Sequence, residues 1–500
     1  MLTYVRSAAI VGVDSTLIGI EVDAQPGLPR EQIVGLPNTV VRESKDRVKS
    51  AIHNAGFEYP PRAYTINLSP ADIRKEGALF DLPIAYGILK STKQLDWEFD
   101  GLMVGELSLN GDITGVRGII SICILCRERN ISRLLLPVDN LAEAQLISGI
   151  EYCAVSHLTE LRRSPVLSEK VLVSSGMQTR NVAKFQPDFA DIQGQYKARR
   201  AAEIAAAGWH NLLLVGPPGC GKSMIGQRMA SILPPLSDDE AVEVLKIASV
   251  TDKIGVRSSA AVKRPFRSPH HTVSFGGMVG GGSTPRPGEI TRAHRGVLFL
   301  DEFGEFPKTI IEILRQPLED QRLTVSRAAA QIEFPADFLL VAATNPCPCG
   351  YNDSGGLTSC HCSPDQQKRF WRKISGPILD RFDLVIRLSA LRQQDLISVT
   401  PNAPRGESSA AIQTRVSQAT AFRLQRQQSR FNSRISPNEL QKMAPETEVS
   451  KHYLSRALAE GKLSGRGYYK VLKVAKTIAD LSGEDQILDD HILEAMQFRG

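Results

Sequence analysis

Gly216-Pro217-Pro218-Gly219-Cys220-Gly221-Lys222-Ser223 follows the apolar run Leu212-Leu213-Leu214-Val215 and leads into Met224-Ile225-Gly226-Gln227-Arg228-Met229. A strand, a glycine-rich turn and a helix start, in that order, are what a triphosphate cradle requires, because backbone N–H groups and the helix N-terminus must face the phosphates. The spacing G-x-x-x-x-G-K-S predicts a P-loop and therefore ATP as ligand. Gly216, Gly219 and Gly221 let the backbone curl without side chains in the way, and Pro217, Pro218 and Cys220 complete the binding loop. Lys222 supplies a mobile positive charge for the β- and γ-phosphates, and the Ser223 hydroxyl can complete a Mg²⁺ shell.

Two further strands end where such a site needs them. Gly296-Val297-Leu298-Phe299-Leu300-Asp301-Glu302 is an apolar run that delivers two adjacent carboxylates at its C-terminal end. Buried parallel strands read as continuous apolar runs, and α/β ligand sites sit at their C-terminal ends. Asp301 is then placed to hold Mg²⁺ through water, and Glu302 to polarise the water that attacks the γ-phosphate. Phe338-Leu339-Leu340-Val341-Ala342-Ala343-Thr344-Asn345 ends in a polar residue at the same level, so Asn345 can bridge the γ-phosphate and the lytic water.

At 500 residues the chain predicts two to four domains, and 42% apolar content with few aromatics fits an α/β protein rather than a fibrous or membrane one. No apolar run reaches the roughly 18 to 20 residues of a bilayer crossing. Met1 to Ile20 is interrupted by Arg6 and Asp14 and lacks a secretory pattern, which predicts a cytoplasmic protein. A net charge of +6 permits a nucleic-acid partner without demanding one.

Residues 1–165 read as one α+β domain, in which Gly105 to Ile113 forms a strand, a turn and a second strand. Residues 166–188 turn to Ser, Lys, Gln and Pro and read as a linker. The P-loop α/β domain spans 189–390. Its glycine-rich excursion, Ser274 to Gly288, is expected to project as a loop. Residues 391–500 lose strand signals and end in helical periodicity, as in Val471, Val474, Ala475, Ile478 and Ala479, which predicts a C-terminal helical lid domain.

Arginines separate the P-loop classes. Ser375-Gly376-Pro377-Ile378-Leu379-Asp380-Arg381-Phe382-Asp383 places Arg381 on a short helix after the third strand, outside its own nucleotide site, where it reaches only a neighbour's γ-phosphate. Ser464-Gly465-Arg466 opens a helix and offers a second phosphate-sensing arginine. With the P-loop and Asn345 these features resemble the AAA+ ATPases of the magnesium chelatase and MCM branch. Arg264-Pro265-Phe266-Arg267-Ser268-Pro269-His270-His271, Gly280 to Ser283, Pro287-Gly288-Glu289-Ile290, Arg315 to Asp320, Asn345 to Gly350 and Thr477 to Leu481 narrow the likeness to the ComM/YifB family of magnesium-chelatase-like ATPases, over essentially the whole chain. The resemblance implies a homo-hexameric, ATP-driven motor that migrates branched recombination intermediates, notably when incoming DNA is integrated during natural transformation.

Under that resemblance two insertions point into a ring pore: the glycine-rich excursion with His270 and His271 at its base, and the hairpin Leu323 to Phe334, which carries Arg327. Serine, threonine, backbone amides and a few arginines suit sequence-independent phosphate tracking. Arg415, Arg423, Arg426, Arg430 and Arg434 recur with almost no acidic neighbours and read either as a basic face for DNA or as a solvated face. Gly105 to Pro137 with Arg74 to Pro83 resembles the Lon protease domain, a ribosomal-S5-type fold. The positions matching its Ser/Lys dyad hold Leu79 and Ile120, which excludes Lon-type proteolysis and leaves an assembly or DNA-handling platform.

Cys347-Pro348-Cys349 and Cys360-His361-Cys362 form two C-x-C pairs on a segment rich in Gly, Asn, Asp and Ser. Four thiolates on a loop without a core suit tetrahedral Zn²⁺, with redox-active thiols as the alternative. Cys123, Cys126, Cys153 and Cys220 sit in apolar or P-loop contexts and read as ordinary buried residues. Two other functions fit the ATPase: a magnesium chelatase subunit and a protein-remodelling ATPase.

Overall fold

The computed structural model describes residues 2–168, 187–251, 262–282, 285–327, 330–352, 359–390, 406–443, 448–460 and 463–499. Most of the 166–188 linker, Ser283 of the glycine-rich stretch and the hairpin residues Ala328 and Ala329 lie outside them. No helix among the described residues is long and apolar enough to cross a membrane.

The N-terminal sheet is built on a long antiparallel hairpin, β1 (Leu2–Val11) and β2 (Asp14–Gln25), to which β3 (Arg30–Val34), β4 (Ala63–Ser69) and β5 (Leu102–Met103) are added. A two-residue ribbon, β6 (Glu106–Leu107) with β7 (Ile113–Thr114), stands where the strand-turn-strand was expected. β8 (Arg133–Pro137) and β9 (Glu151–Val155) complete the order β3-β4-β2-β1-β5-β8-β9. Tyr64, Ile66 and Leu68 alternate inward along β4, the pattern of a strand with one covered face, whereas Leu134, Leu135 and Leu136 of β8 are all buried. Helices Thr39–Asn54, Asp81–Ser91 and Ile119–Glu128 supply the covering side chains. Leu79 and Ile120 belong to this core, as do Cys123, Cys126 and Cys153. Burial pushes the Cys126 thiol up to about 12.

The central sheet consists of β10 (Leu212–Val215), β11 (Phe266–Arg267), β14 (Val297–Leu300), β17 (Leu339–Thr344) and β18 (Leu384–Arg387), all parallel, in the order β11-β14-β17-β10-β18. The remaining strands are the ribbon β12 (Gly280–Gly281) with β13 (Arg286–Pro287) and the hairpin β15 (Arg322–Arg327) with β16 (Ala330–Pro335). Period-two geometry divides the sheet into two faces. Leu212, Leu214, Phe299 and Val341 meet helices Tyr196–Gly208 and Lys222–Ile232, and on the same side pack the C-terminal helices Ser409–Gln425 and Gly465–Ser482. Val471, Val474, Ala475, Ile478 and Ala479 are all buried, as their periodicity predicted. The other face, with Leu213, Leu298, Leu300 and Leu340, packs on Met278, Val279, Leu323 and Phe334.

The structure bears on three expectations. The glycine-rich excursion does not simply project: Ser274 caps a short helix, Phe275–Val279, whose Met278 and Val279 are buried against the sheet while Phe275 is exposed. The hairpin is equally anchored at its base, with Leu323, Val325, Ile332 and Phe334 buried against the sheet and against the β1–β2 turn. A β-carbon on Gly12 of that turn would come within 2.8 Å of Ile332 Cγ2. Four of the five arginines in the series are engaged within the chain, while Arg430 is exposed. Arg415 pairs with Glu203 and Glu407, Arg426 with Asp480 and Arg434 with Asp337, while Arg423 is buried and donates to the carbonyls of Gln428, Ser429 and Arg430. Glu203, Asp480 and Asp337 come from distant parts of the chain, which is why the local sequence looked unpaired.

Candidate nucleotide site and cysteine cluster

The C-terminal ends of β10, β17 and β14 lie side by side, so Gly216, Asn345 and the Asp301–Glu302 pair share one edge of the sheet. Gly219 and Gly221 have φ of 76° and 93°, conformations that disfavour a β-carbon. A β-carbon at either would find no atom within 4 Å, so this part of the loop faces an open cradle able to admit phosphate oxygens. The helix starting at Lys222 lies close on β14, because a β-carbon on Gly226 would sit 2.2 Å from the Phe299 ring. Ser223, half-buried, is its second residue.

Lys222 is only 9% exposed. Its Nζ donates to the carbonyls of Gly216 (2.6 Å) and Pro217 (2.8 Å) and to Asn345 Oδ1 (3.2 Å). Burial lowers its pKa, an effect opposed by Cys220, Asp301 and Glu302. The ammonium thus already sits between the loop and the residue expected to sense the γ-phosphate. Asp301 Oδ1 accepts from the Glu302 amide (3.0 Å), and Glu302 itself occupies the left-handed region at φ 52° with a side chain 58% exposed. A non-glycine residue held there costs roughly 1–2 kcal/mol and is found where geometry matters.

Two contacts were not visible in the sequence. His271 Nδ1 lies 3.2 Å from Glu302 Oε2, although 31 residues separate them; only the pairing of β11 with β14 brings them together. Gln195 Nε2 donates to the carbonyls of Cys220 (3.2 Å) and Ser389 (3.1 Å), tying the loop to the strand that follows the arginine segment. Across the base of the glycine-rich segment, Arg267 grips Glu289 through two bonds of 2.6 and 2.7 Å.

Arg381 lies elsewhere. β18 runs parallel to β10 in the register Leu212↔Leu384 to Val215↔Arg387, so Arg381 precedes the N-terminal end of the sheet whereas Gly216 follows the C-terminal end. Asn211 Nδ2, just before β10, donates to the Arg381 carbonyl at 2.9 Å. The Arg381 guanidinium is 18% exposed and pairs with Glu319. Burial, then the positive neighbours Arg466 and Arg315, lower its pKa. Arg466 therefore stands beside Arg381, and Lys470, one turn further along its helix, donates to the Asp380 and Phe382 carbonyls. The structure brings Lys222, Asp301, Glu302 and Asn345 together and sets Arg381 and Arg466 at the opposite end.

Cys347, Cys349, Cys360 and Cys362 converge, with all four Sγ atoms within 4.8 Å of one another. Cys347 to Cys349 is 3.3 Å, Cys349 to Cys360 is 3.5 Å and Cys347 to Cys360 is 3.7 Å. The Tyr351 backbone amide holds the Cys349 thiol down at about 6.

A five-stranded parallel sheet with this loop, carboxylate pair and helical lid defines an AAA+ domain of the magnesium chelatase type. Residues 188–396 match the family model described as magnesium chelatase, subunit ChlI; residues 20–140 match subunit ChlI of Mg-chelatase, and 406–499 its C-terminal model. Competence protein ComM of Haemophilus influenzae is 40% identical over 100% of this chain and 97% of its own length, and YifB of Escherichia coli is 40% identical over the same shares. The magnesium-chelatase 38 kDa subunit of Rhodobacter capsulatus is 28% identical over 46% of this chain and 65% of its own. The chain belongs to the ComM/YifB family of magnesium-chelatase-like AAA+ proteins, a family that implies ATP and Mg²⁺ as ligands.

Proposed function

We propose that this chain is one subunit of a cytoplasmic, ATP-hydrolysing ring, most simply a hexamer, that drives branch migration of DNA recombination intermediates. The observation that supports the ring is the position of Arg381: it lies at the end of the sheet opposite the P-loop of its own chain, as suits an arginine that serves a neighbour's site. Lys222 and the loop amides bind the phosphates, while Ser223 and Asp301 would hold Mg²⁺, which would supply charge neutralisation for the phosphates. Glu302 takes the proton of the attacking water, Asn345 orients that water, and Arg381 and Arg466 of the adjacent subunit stabilise the charge that develops on the transferred group. The four cysteines hold a structural Zn²⁺.

The DNA substrate rests on the full-length likeness to a competence protein. A chelatase reading has less support, because the chelatase subunit aligns with less than half of the chain. The N-terminal domain does not decide between them, since residues 20–140 match a model described for the chelatase subunit as well. The test is a synthetic four-way junction: ATP-dependent conversion to two duplexes, with ATPase activity that rises on adding DNA and binding that weakens steeply with salt. An ATPase that ignores every DNA and responds to a porphyrin-chelatase partner would replace this reading, and response to neither would favour protein remodelling.

A further inference from the structure

The cysteine cluster begins two residues after Asn345. Regular tetrahedral Zn–S bonds of about 2.3 Å set sulfurs about 3.8 Å apart, close to the spacings above. The turn inside the cluster, closed by Gly350 N donating to Cys347 O at 3.0 Å, is pressed against the P-loop. Gly350 has φ +84°, and a β-carbon there would lie 2.9 Å from Pro218 Cδ and 3.8 Å from Asn345 Cγ. On its other side the segment is held by Trp371 Nε1 on the Pro346 carbonyl (3.0 Å) and by Gln367, whose Nε2 reaches the Cys362 carbonyl (3.4 Å). Cys347 is fully buried. The cluster therefore has one wall in common with the nucleotide loop.

We propose that one zinc-class ion bound by Cys347, Cys349, Cys360 and Cys362 clamps the Cys347–Gly350 turn onto Pro218 and Asn345, so that ATP turnover depends on a metal other than the Mg²⁺ that accompanies the nucleotide. The inference rests on the ATPase reading and adds a second metal requirement to it. Four thiols bind the ion as thiolates and release their protons to solvent, giving a site of net charge −2. The ion makes no contact with phosphate. Its effect is positional: without it the turn keeps its packing and hydrogen bonds but loses the four bonds that join its two cysteine pairs, and Asn345, which shares a bond with Lys222, loses the backing that fixes its approach to the γ-phosphate. A misplacement of about 1 Å at such a group can cost on the order of 100-fold in rate.

The experiment uses the full chain. Metal content is measured by elemental analysis, then a thiol-directed mercurial strips the ion, excess dithiothreitol removes the mercurial, and Zn²⁺ is added back. The expected results are about one zinc per chain, a fall in kcat of at least about tenfold on stripping with nucleotide affinity changed much less, and recovery on adding Zn²⁺ but not extra Mg²⁺. Circular dichroism and thermal unfolding report whether the stripped chain stays folded. Gly350→Ala gives an independent reading, because it should keep its zinc and still lose turnover by crowding Pro218. Absence of zinc from protein prepared without chelator overturns the site. Bound zinc with unchanged kcat after stripping, or a Gly350→Ala variant as fast as the parent, overturns the clamp while leaving the ATPase reading intact. No hydrolysis by the zinc-loaded chain refutes the ATPase reading, and the clamp with it.

Discussion

Mixing two inactive variants tests whether the active site is shared. Arg381 stands before β18 and the P-loop after β10, so the strand alone interposes four residues, about 13 Å at about 3.3 Å each, between an arginine and the phosphates it would serve. Arginines of this kind are worth roughly 10³–10⁵ in turnover, or about 4–7 kcal/mol of transition-state stabilisation. Arg381→Ala should therefore abolish steady-state ATPase activity while nucleotide affinity is kept, since Lys222 and the loop are untouched. Lys222→Ala abolishes activity by the other route. In a ring with head-to-tail interfaces mixed at equal amounts, about one interface in four combines an intact loop from one variant with an intact arginine from the other. If interfaces fire independently, phosphate release should recover to about a quarter of the parental rate, peaking at equal mixing and vanishing at either extreme. No recovery at any ratio, after subunit exchange has been verified, would refute a shared site. So would an Arg381→Ala protein that hydrolyses ATP at the parental rate.

Three further outcomes follow from the same geometry. Lys222→Ala should lose nucleotide binding, whereas Glu302→Gln should bind ATP and accumulate as an assembled ring without turnover; equilibrium binding and sedimentation would show both. Glu143 accepts the Ser249 hydroxyl between the N-terminal and central cores, and burial raises its pKa from 4.5 to about 7. The folded state then holds an extra proton between those values, so stability should fall as pH climbs through that window. Glu143→Gln should remove the slope and gain on the order of 2 kcal/mol at pH 8 in denaturant titrations. His271→Ala should leave ATP affinity unchanged but alter turnover several-fold, because it frees the Glu302 carboxylate; identical kcat would show the contact to be idle.

Much of the sheet was legible because its chemistry is local. Leu212 to Val215, Val297 to Leu300 and Leu339 to Ala343 are apolar on both sides of the period, as strands covered on both faces must be; the first runs into the glycine-rich loop and the other two into Asp301–Glu302 and Asn345. The helix Gly465–Ser482 was legible for the complementary reason: its apolar residues recur at helical spacing. What stayed hidden depends on partners remote in the chain. Asp337 serves Arg295 and Arg434, Asp480 serves Arg426, and His271 meets Glu302 across a strand pairing that no spacing encodes. The glycine-rich stretch was misjudged because glycine count outweighed the two apolar residues, Met278 and Val279, that tether it.

The two faces of the central sheet give a nucleotide-driven shift two separate routes out. On one face, Leu298 and Leu300 of the strand ending in Asp301–Glu302 share a core with Met278 and Val279 of the glycine-rich segment, with Leu323 and Phe334 of the hairpin, and with Val13 of the β1–β2 turn. Close-packed side chains transmit displacement rather than absorb it. Movement of β14 must therefore carry the hairpin base and the N-terminal turn together. On the other face, Phe299 and Val341 lie in the core that includes Val471, Val474 and Ile478, of the helix that begins beside Arg466. That route ends at Arg466 and, beside it, Arg381. A substitution such as Val13→Ala, on the first route alone, should weaken the response of ATPase activity to DNA while leaving the subunit-mixing recovery in place. Loss of both together would mean that the sheet moves as one body and that the faces are not independent outputs.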